Sequence, residues 1–381
     1  MANYAVLGVI SPFLPILIRT LGYSPSMVGL LMGIYEGAGI VGPFVLGFLV
    51  DRWGRYKPGL LISVLLMLLP ALPLALIHRP LPSALLLCVL AVGVKSGLPL
   101  MEAMTTIVVG KEGNYGKIRS FGSVGFILSV LFLQWFPYLP RNSALNIGIW
   151  IAILSSIALV MMCLVPARFT ALRQDAAPRP ATAPLRIWTP FFTLGLLMIA
   201  LTRIAMAPVA SFISLYVVEY IKWDAVGMIW AIAAAAETPL IFFSRRIIRY
   251  FKSPLKVIFL TCFALILRLL IYALFPYPPA IVAAQLLHSL CYGLFHSAAV
   301  AFISANIPPE RRALGMTIYL SLGTGFPTFL GNILGGFIVE YLGYRALFGS
   351  YTIFSLLAMG VYLVIRGAGR TRTGYRAILP P

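Results

Sequence analysis

Gly47-Phe48-Leu49-Val50-Asp51-Arg52-Trp53-Gly54-Arg55 stands between two long apolar runs, residues 26–49 and 58–77. An acid, two arginines and two glycines are out of place in so apolar a neighbourhood. Their spacing, G-x-L-x-D-R-x-G-R, reads as a short polar turn joining two hydrophobic segments. Gly47 and Gly54 permit close helix approach and a tight turn, while Asp51 can accept from arginines or from a helix N-terminus. A merely basic loop would need the arginines but neither Asp51 nor the glycines.

The rest of the chain is equally apolar. Of 381 residues, 61% are hydrophobic and 10% charged, with a mean hydropathy of +0.97. A soluble domain of that composition would lack polar cover. Twelve apolar stretches recur, at 2–21, 26–49, 58–77, 82–108, 119–136, 144–165, 190–220, 226–248, 255–275, 279–305, 313–338 and 344–366. Each is long enough to cross roughly 30 Å of hydrocarbon at about 1.5 Å per residue. The pattern predicts an all-α, multi-pass membrane protein with twelve transmembrane helices.

The net charge of +19 suggests nucleic acid until the charges are placed. With residue 1 in the cytoplasm, the cytoplasmic loops and tail hold 21 of the 29 Lys and Arg. The outer loops hold Arg19, Arg79, Arg141, Lys222 and Arg345, and three more basic residues lie inside spans. This is the positive-inside pattern, and it sets both termini in the cytoplasm. The partners expected of the loops are anionic lipid headgroups, not nucleic acid. Cys88, Cys163, Cys262 and Cys291 all fall within spans at spacings that suit neither a zinc site nor a disulfide framework, so packing is expected of them, and no metal and no cofactor. The first span begins almost at Met1 without a basic leader or cleavage site, so it reads as a retained helix, with a shortened N-terminus as the alternative.

The longest polar interruption is 166–187, rich in Pro, Ala and Arg. Such a composition predicts a cytoplasmic linker. It divides the chain into six-helix bundles at 1–165 and 188–366, with a basic tail at 367–381. A faint internal repeat supports the division. Laying Ser244–Lys252 over the opening motif puts Arg249 on Arg52 and Lys252 on Arg55, with the acid and both glycines lost. In that register Glu237 lies four positions from Glu36, and Lys95 precedes Arg119 by the same 24 residues that separate His288 from Arg312.

Six ionisable residues sit in mid-span: Glu36, Lys95, Glu102, Arg203, Glu237 and Arg268. At ~2.5–3.5 kcal/mol each, six exposed to lipid would cost roughly 15–20 kcal/mol. They are therefore expected to face one another or a wet cavity. Lys95 and Glu102 are about 10 Å apart along one helix face, too far to pair, so each wants a partner elsewhere. Arginine stays charged and suits carboxylate recognition, which fits Arg203 and Arg268, and Lys95 can serve as a point charge. In the tenth span Gln285, His288, Tyr292 and His296 follow a helical stripe, and histidine titrates near neutrality as a proton relay requires. Pro99, Pro208, Pro239 and Pro327 can bend their helices, and Gly331 with Gly335 offers a close-packing face.

The opening motif resembles the loop signature between helices 2 and 3 of the major facilitator superfamily, whose members are secondary transporters. That resemblance implies a fold of two pseudo-symmetric six-helix bundles and gives Gly47, Asp51, Arg52, Gly54 and Arg55 the role of a conformational latch. Tyr56 replaces a commonly basic position, and the neighbouring Lys57 can supply its charge. Tyr115-Gly-Lys-Ile-Arg119-Ser-Phe-Gly122-Ser-Val-Gly125-Phe126, Gln285-Leu-Leu-His288, Phe295-His296, and Pro12 with Pro15 are similar to the 3-phenylpropionate permease branch, near the lactose and nucleoside proton symporters. Glu237, Arg268 and His288 or His296 match by type and span the acid, arginine and histidine of lactose-type permeases. Glu102 with Arg119 resembles their helix 4–helix 5 pair. The helix-10 acid of those permeases has no counterpart here. Nor does the fifth span carry the Gly-Pro of drug antiporters, which favours symport over export.

Together these readings predict an alternating-access transporter of the inner (plasma) membrane, acting as a monomer and importing a small organic acid, aromatic in type, with protons. Glu237, Glu102 and Glu36 are the expected proton carriers. Arg268, Arg203 and Lys95 are expected to anchor an anion, with His288, Tyr292, Phe295 and His296 shaping the pocket. Symport of a neutral nucleoside or sugar, efflux, and a non-transporting sensor or assembly factor are the alternatives. No nucleophile–base or metal constellation points to an enzyme.

Overall fold

The computed structural model describes residues 1–109, 115–136, 143–166, 188–308 and 311–370. The expected linker falls on 167–187 and most of the tail beyond 370, outside the described residues. Among the described residues there are helices and no strands. Six helices come first: α1 (Ala2–Thr20), α2 (Pro25–Trp53), α3 (Tyr56–Leu76), α4 (Pro80–Val109), α5 (Tyr115–Trp135) and α6 (Ala144–Leu164). After the linker come α7 (Pro190–Tyr220), α8 (Val226–Phe251), α9 (Pro254–Leu274) and α10 (Pro278–Asn306). A last continuous stretch is two helices, α11 (312–342) and α12 (344–370), because Gly343 breaks it with φ 83° and ψ 174°. Ten segments are long and apolar enough to cross a membrane; dividing the last at Gly343 and adding the shorter apolar Phe121–Trp135 of α5 gives the twelve that the sequence predicts. This is an all-α membrane protein.

Local chemistry sets several helix starts. Ser24 precedes Pro25, and its Oγ accepts from Met27 N at 3.4 Å; Thr189 precedes Pro190, and its Oγ1 accepts from Phe192 N at 3.2 Å. A hydroxyl cap followed by proline in the first turn satisfies one orphan N–H and removes another. Prolines also open α9 and α10.

The opening motif is more helical than the sequence suggests. Asp51, Arg52 and Trp53 form the last turn of α2, and Gly54 caps it at φ 64°, a left-handed conformation that glycine adopts without penalty. A Cβ on Gly47 would meet nothing within 4 Å, so no neighbour in this structure requires glycine there. The two helix ends align the expected repeat one residue away from its sequence register. Lys252, at φ 54°, caps α8 as Gly54 caps α2, so it corresponds to Gly54 and not to Arg55.

Two groups of close contacts hold the first six helices against the last six. Gly29 of α2 and Gly336 of α11 pass so closely that a Cβ on Gly29 would lie 2.5 Å from Asn332 O and 2.7 Å from Gly336 Cα. Gly227 of α8 leaves similar room for Val130 O of α5. Small residues at such crossings let backbones approach where lipid gives no hydrophobic drive. Gly331 and Gly335 pack as expected, against Ala207 and against Phe212, Leu347 and Tyr351. Polar contacts gather at the same end. Arg19 Nε donates to Glu219 Oε1 at 2.7 Å, Tyr344 OH to Glu219 Oε2 at 2.7 Å, and Ser26 N to Glu340 Oε2 at 2.8 Å. Gln134 Nε2 donates to Asp224 O at 2.7 Å, and Gln134 Oε1 accepts from Gly227 N at 2.8 Å. This is the end opposite the Asp51 turn, and here the molecule is closed.

Candidate functional site

A cavity of about 490 Å³ lies between the first six and the last six helices. That is within the range of sites for small organic ligands. All six mid-span ionisable residues line it, as their cost in lipid predicts: Glu36, Lys95 and Glu102 from one side, Arg203, Glu237 and Arg268 from the other. Tyr4, Tyr35, Trp230 and Tyr292 add aromatic surface.

On the first side Lys95 Nζ donates to Glu36 Oε1 at 2.8 Å and to Oε2 at 3.0 Å. Glycines on α2 make this reach possible. A Cβ on Gly39 would lie 2.6 Å from Lys95 Cγ, and one on Gly42 would lie 2.9 Å from Val92 Cα of α4. With those faces bare, α4 lies against α2, and the lysine stem runs up one turn to the carboxylate. The ammonium also lies 5.3 Å from the Tyr35 ring centroid. The pair is accessible from the cavity, with side-chain exposures of 36% for Lys95 and 16% for Glu36. Two turns along α4, Glu102 accepts from Tyr4 OH at 3.2 Å. The pairing with Arg119 that the family resemblance implies involves a side chain outside the described residues.

On the other side the cations behave differently from each other. Arg268 is 1% exposed although it borders the cavity. Its Nε donates to Tyr272 OH at 3.0 Å, its Nη2 to Gln285 Oε1 at 2.7 Å, and its Nη1 to His288 Nδ1 at 3.0 Å. Each of its three nitrogens has a partner within the last six helices, while the residue still borders the cavity. Arginine has no acceptor, so His288 Nδ1 must accept, and the proton of the neutral ring sits on Nε2. That Nε2 faces Glu237 Oε2 at 3.9 Å. While the Arg268 contact lasts, a doubly protonated ring would set N–H against N–H. Gly293 leaves space for Glu237, whose Cγ lies 2.8 Å from the position a Cβ there would take.

Arg203 is engaged through Tyr292. Its guanidinium lies 5.4 Å from the Tyr292 ring centroid, and its Nε is buried without a hydrogen-bond partner. Its electrostatic neighbours are Tyr292, Tyr319 and Glu36, and Tyr292 is also a neighbour of Lys95. Tyr292 stacks on His288 with centroids 5.3 Å apart and rings within 9° of parallel.

Three of the four residues of the α10 stripe lie at the cavity. Gln285, His288 and Tyr292 line it, whereas Phe295 is fully buried in the core and His296 turns to Tyr319, with Nδ1 and the phenol oxygen 2.7 Å apart. The cause is a π-helical stretch, Ser289–Leu294, whose wider turn rotates everything after it. Nothing in the residue types announces this. Two further π stretches, Tyr216–Tyr220 and Tyr319–Gly325, also lie in the last six helices. Sequence reading also missed the roles of Gly39 and Gly293, since a glycine opposite a long side chain leaves no periodic mark. Of the turn motif, Asp51, Arg52 and Arg55 are exposed, and Asp51 has no ion pair among the described residues. Cys163 lies in the last turn of α6 with its side chain exposed, Cys88 is half-buried, and Cys262 and Cys291 are buried. Among the described residues no three His, Cys, Asp or Glu side chains gather as a metal site would need.

The chain matches the model of the MFS_1 like family over residues 2–350. It is 24% identical over 366 residues to the "Uncharacterized transporter YwbF" of Bacillus subtilis (strain 168), covering 92% of this chain and 87% of the relative. It is 23% identical over 369 residues to the "Probable 3-phenylpropionic acid transporter" of Escherichia coli (strain K12), covering 92% and 91%. In fold it is similar to the crystal structure of a mutant nucleoside transporter NupG, with TM-score 0.82 and 17% identity over 96% of this chain and 97% of the other. These proteins are transporters and not enzymes. The chain belongs to the MFS_1 like family and is a membrane transporter of the major facilitator type.

Proposed function

We propose that the chain imports a small organic acid, aromatic in type, together with protons, by alternating access between two six-helix halves. The observation that carries this reading is Arg203: a guanidinium on the cavity wall whose Nε lacks a partner, beside an aromatic ring and facing the side that holds Lys95. The relative named as a probable 3-phenylpropionic acid transporter supports an aromatic acid. Tyr4, Tyr35 and Trp230 give the ring apolar walls.

In this reading the protein is a monomer of the inner membrane with both termini in the cytoplasm, and the structure is its inward-facing state. The Arg19–Glu219–Tyr344 contacts then close the outer side, and the Asp51–Arg55 turn is a released latch on the inner side. Glu237, Glu102 and Glu36 are the proton-carrying groups. Each lines the cavity, where low dielectric lets a carboxyl take a proton and a nearby cation returns it.

The test is uptake by the purified protein in proteoliposomes. An acid-outside gradient is expected to drive 3-phenylpropionate above equilibrium. Its amide should neither accumulate nor compete. Glu237→Gln should abolish the gradient-driven accumulation while leaving exchange of labelled for unlabelled acid. Accumulation of a nucleoside or sugar in place of the acid would refute the substrate class. Uptake of the acid indifferent to the gradient would refute the coupling.

A further inference from the structure

Asn332 is a polar side chain sealed into a helix crossing built from small residues. It is 0% exposed, and neither its Oδ1 nor its Nδ2 has a hydrogen-bond partner among the described residues. Its direction follows from its neighbours on α11. Gly331 and Gly335 pack against Ala207 and Phe212 of α7, whereas Phe329, Ile333 and Gly336 meet Gly37, Gly33 and Gly29 of α2. At about 100° per residue, position 332 falls between those two faces. Thr328, one turn earlier on that side, lines the cavity, as do Met32 of α2 and Ala207 and Ala210 of α7. Gly336, one turn later, is the point of contact with Gly29, and beyond it Glu340 accepts from Ser26 N. Asn332 thus stands between the cavity and the closed end, in the wedge where α2 and α7 converge on α11.

We propose that Asn332 is a solute contact of the opposite state: when α2 and α11 separate at the glycine crossing, its amide enters the cavity and Nδ2 donates to the carboxylate of the acid. This rests on the alternating-access import of an organic acid described above and extends it to the other end of the cycle. An amide that clipped α11 to α2 or α7 would be bonded to one of them, since buried polar groups nearly always find partners. Here it is bonded to neither. A leucine of similar volume would fill the wedge without stranding polar atoms, so the closed crossing has no use for the amide. Polar side chains inside a membrane are costly and mark solute pathways. The unmet amide also leaves the closed crossing less stable than its packing allows, which biases the protein towards opening there.

The test uses the purified full-length protein. Asn332→Cys is exposed to a water-soluble thiol reagent, and labelling at that residue is read by peptide mass spectrometry. Labelling should be slow in the otherwise native chain. Adding Gly29→Ala should speed it about tenfold, the scale on which overpacking at the crossing shifts the balance of two states. Glu219→Gln with Glu340→Gln, which leaves the crossing itself intact, should speed it severalfold, and 3-phenylpropionate should slow it again. In parallel, Asn332→Leu should raise the unfolding temperature while raising the KM for 3-phenylpropionate uptake about tenfold, the loss of a hydrogen bond to a charged group. A merely structural amide would give the reverse on stability. If neither background speeds labelling, or Asn332→Leu lowers the unfolding temperature, Asn332 belongs to the packing and the proposal is wrong. If the acid is transported yet neither protects the cysteine nor responds to Asn332→Leu, the solute contact is refuted. If wild type transports no acid, the organic-acid reading falls, and labelling and stability still decide whether Asn332 joins the opened cavity.

Discussion

Lys95 with Glu36 and Arg268 with its three partners are two ways of keeping an ionised cation inside a membrane protein, and they differ in what each can give up. The Lys95 pair has two members and stays accessible from the cavity, and its stem lies along glycines. Arg268 is sealed, with all three nitrogens bonded within the last six helices. The first can change partner at modest cost because the cavity can solvate or replace either member. The second cannot, since any departure strands several buried polar groups at once. An arginine in the expected span is therefore not by itself a substrate anchor. Arg203, beside the Tyr292 ring and with a buried Nε that has no hydrogen-bond partner, is less fully engaged than Arg268.

The largest expected effect lies at the sealed site. Arg268→Ala should cost about 3–5 kcal/mol, the scale for breaking a buried charge network, and should appear as a lower unfolding temperature in detergent or loss of folded protein. A stable Arg268→Ala protein with weakened acid binding would invert the comparison. Next comes the crossing of Gly29 with Gly336. Gly29→Ala puts a Cβ against the backbone of α11, and such overpacking typically costs about 1–3 kcal/mol. It should hold the outer end open, read as faster labelling of a cysteine introduced on the cavity wall by a reagent added outside. Lys95→Met should destabilise the fold less than Arg268→Ala while removing acid binding; equal loss of stability would show that the two sites are alike. Smallest is Glu219→Gln. Arg19 and Glu219 are each about a third exposed, so their pair contributes at most about 1 kcal/mol. Its loss should raise outside labelling only severalfold.

Much of this was legible in the sequence because a membrane makes errors expensive. Twelve apolar runs had to be helices, and six mid-span charges had to meet at one cavity, which they do. Partner choice was not legible. Glu36 finds Lys95 because Gly39 and Gly42 let α4 close on α2, a tertiary fact with no local signature. His296 leaves the cavity because one π turn shifts the phase of α10, and phase is what a helical stripe assumes. The turn motif named the fold correctly, yet Gly54 acts as a helix cap while a Cβ on Gly47 would meet no neighbour. The contacts of Arg19, Glu219 and Glu340 at the end opposite the Asp51 turn escaped notice because those residues read as ordinary loop-end charges.

The most direct measurement is an experimental structure of the protein with 3-phenylpropionate bound. The carboxylate should lie within hydrogen-bond distance of both Arg203 and Lys95, with the bonds from Arg268 to Tyr272, Gln285 and His288 unchanged. A carboxylate seated on Arg268, with those bonds broken, would contradict the division of the two sites into one that exchanges partners and one that does not.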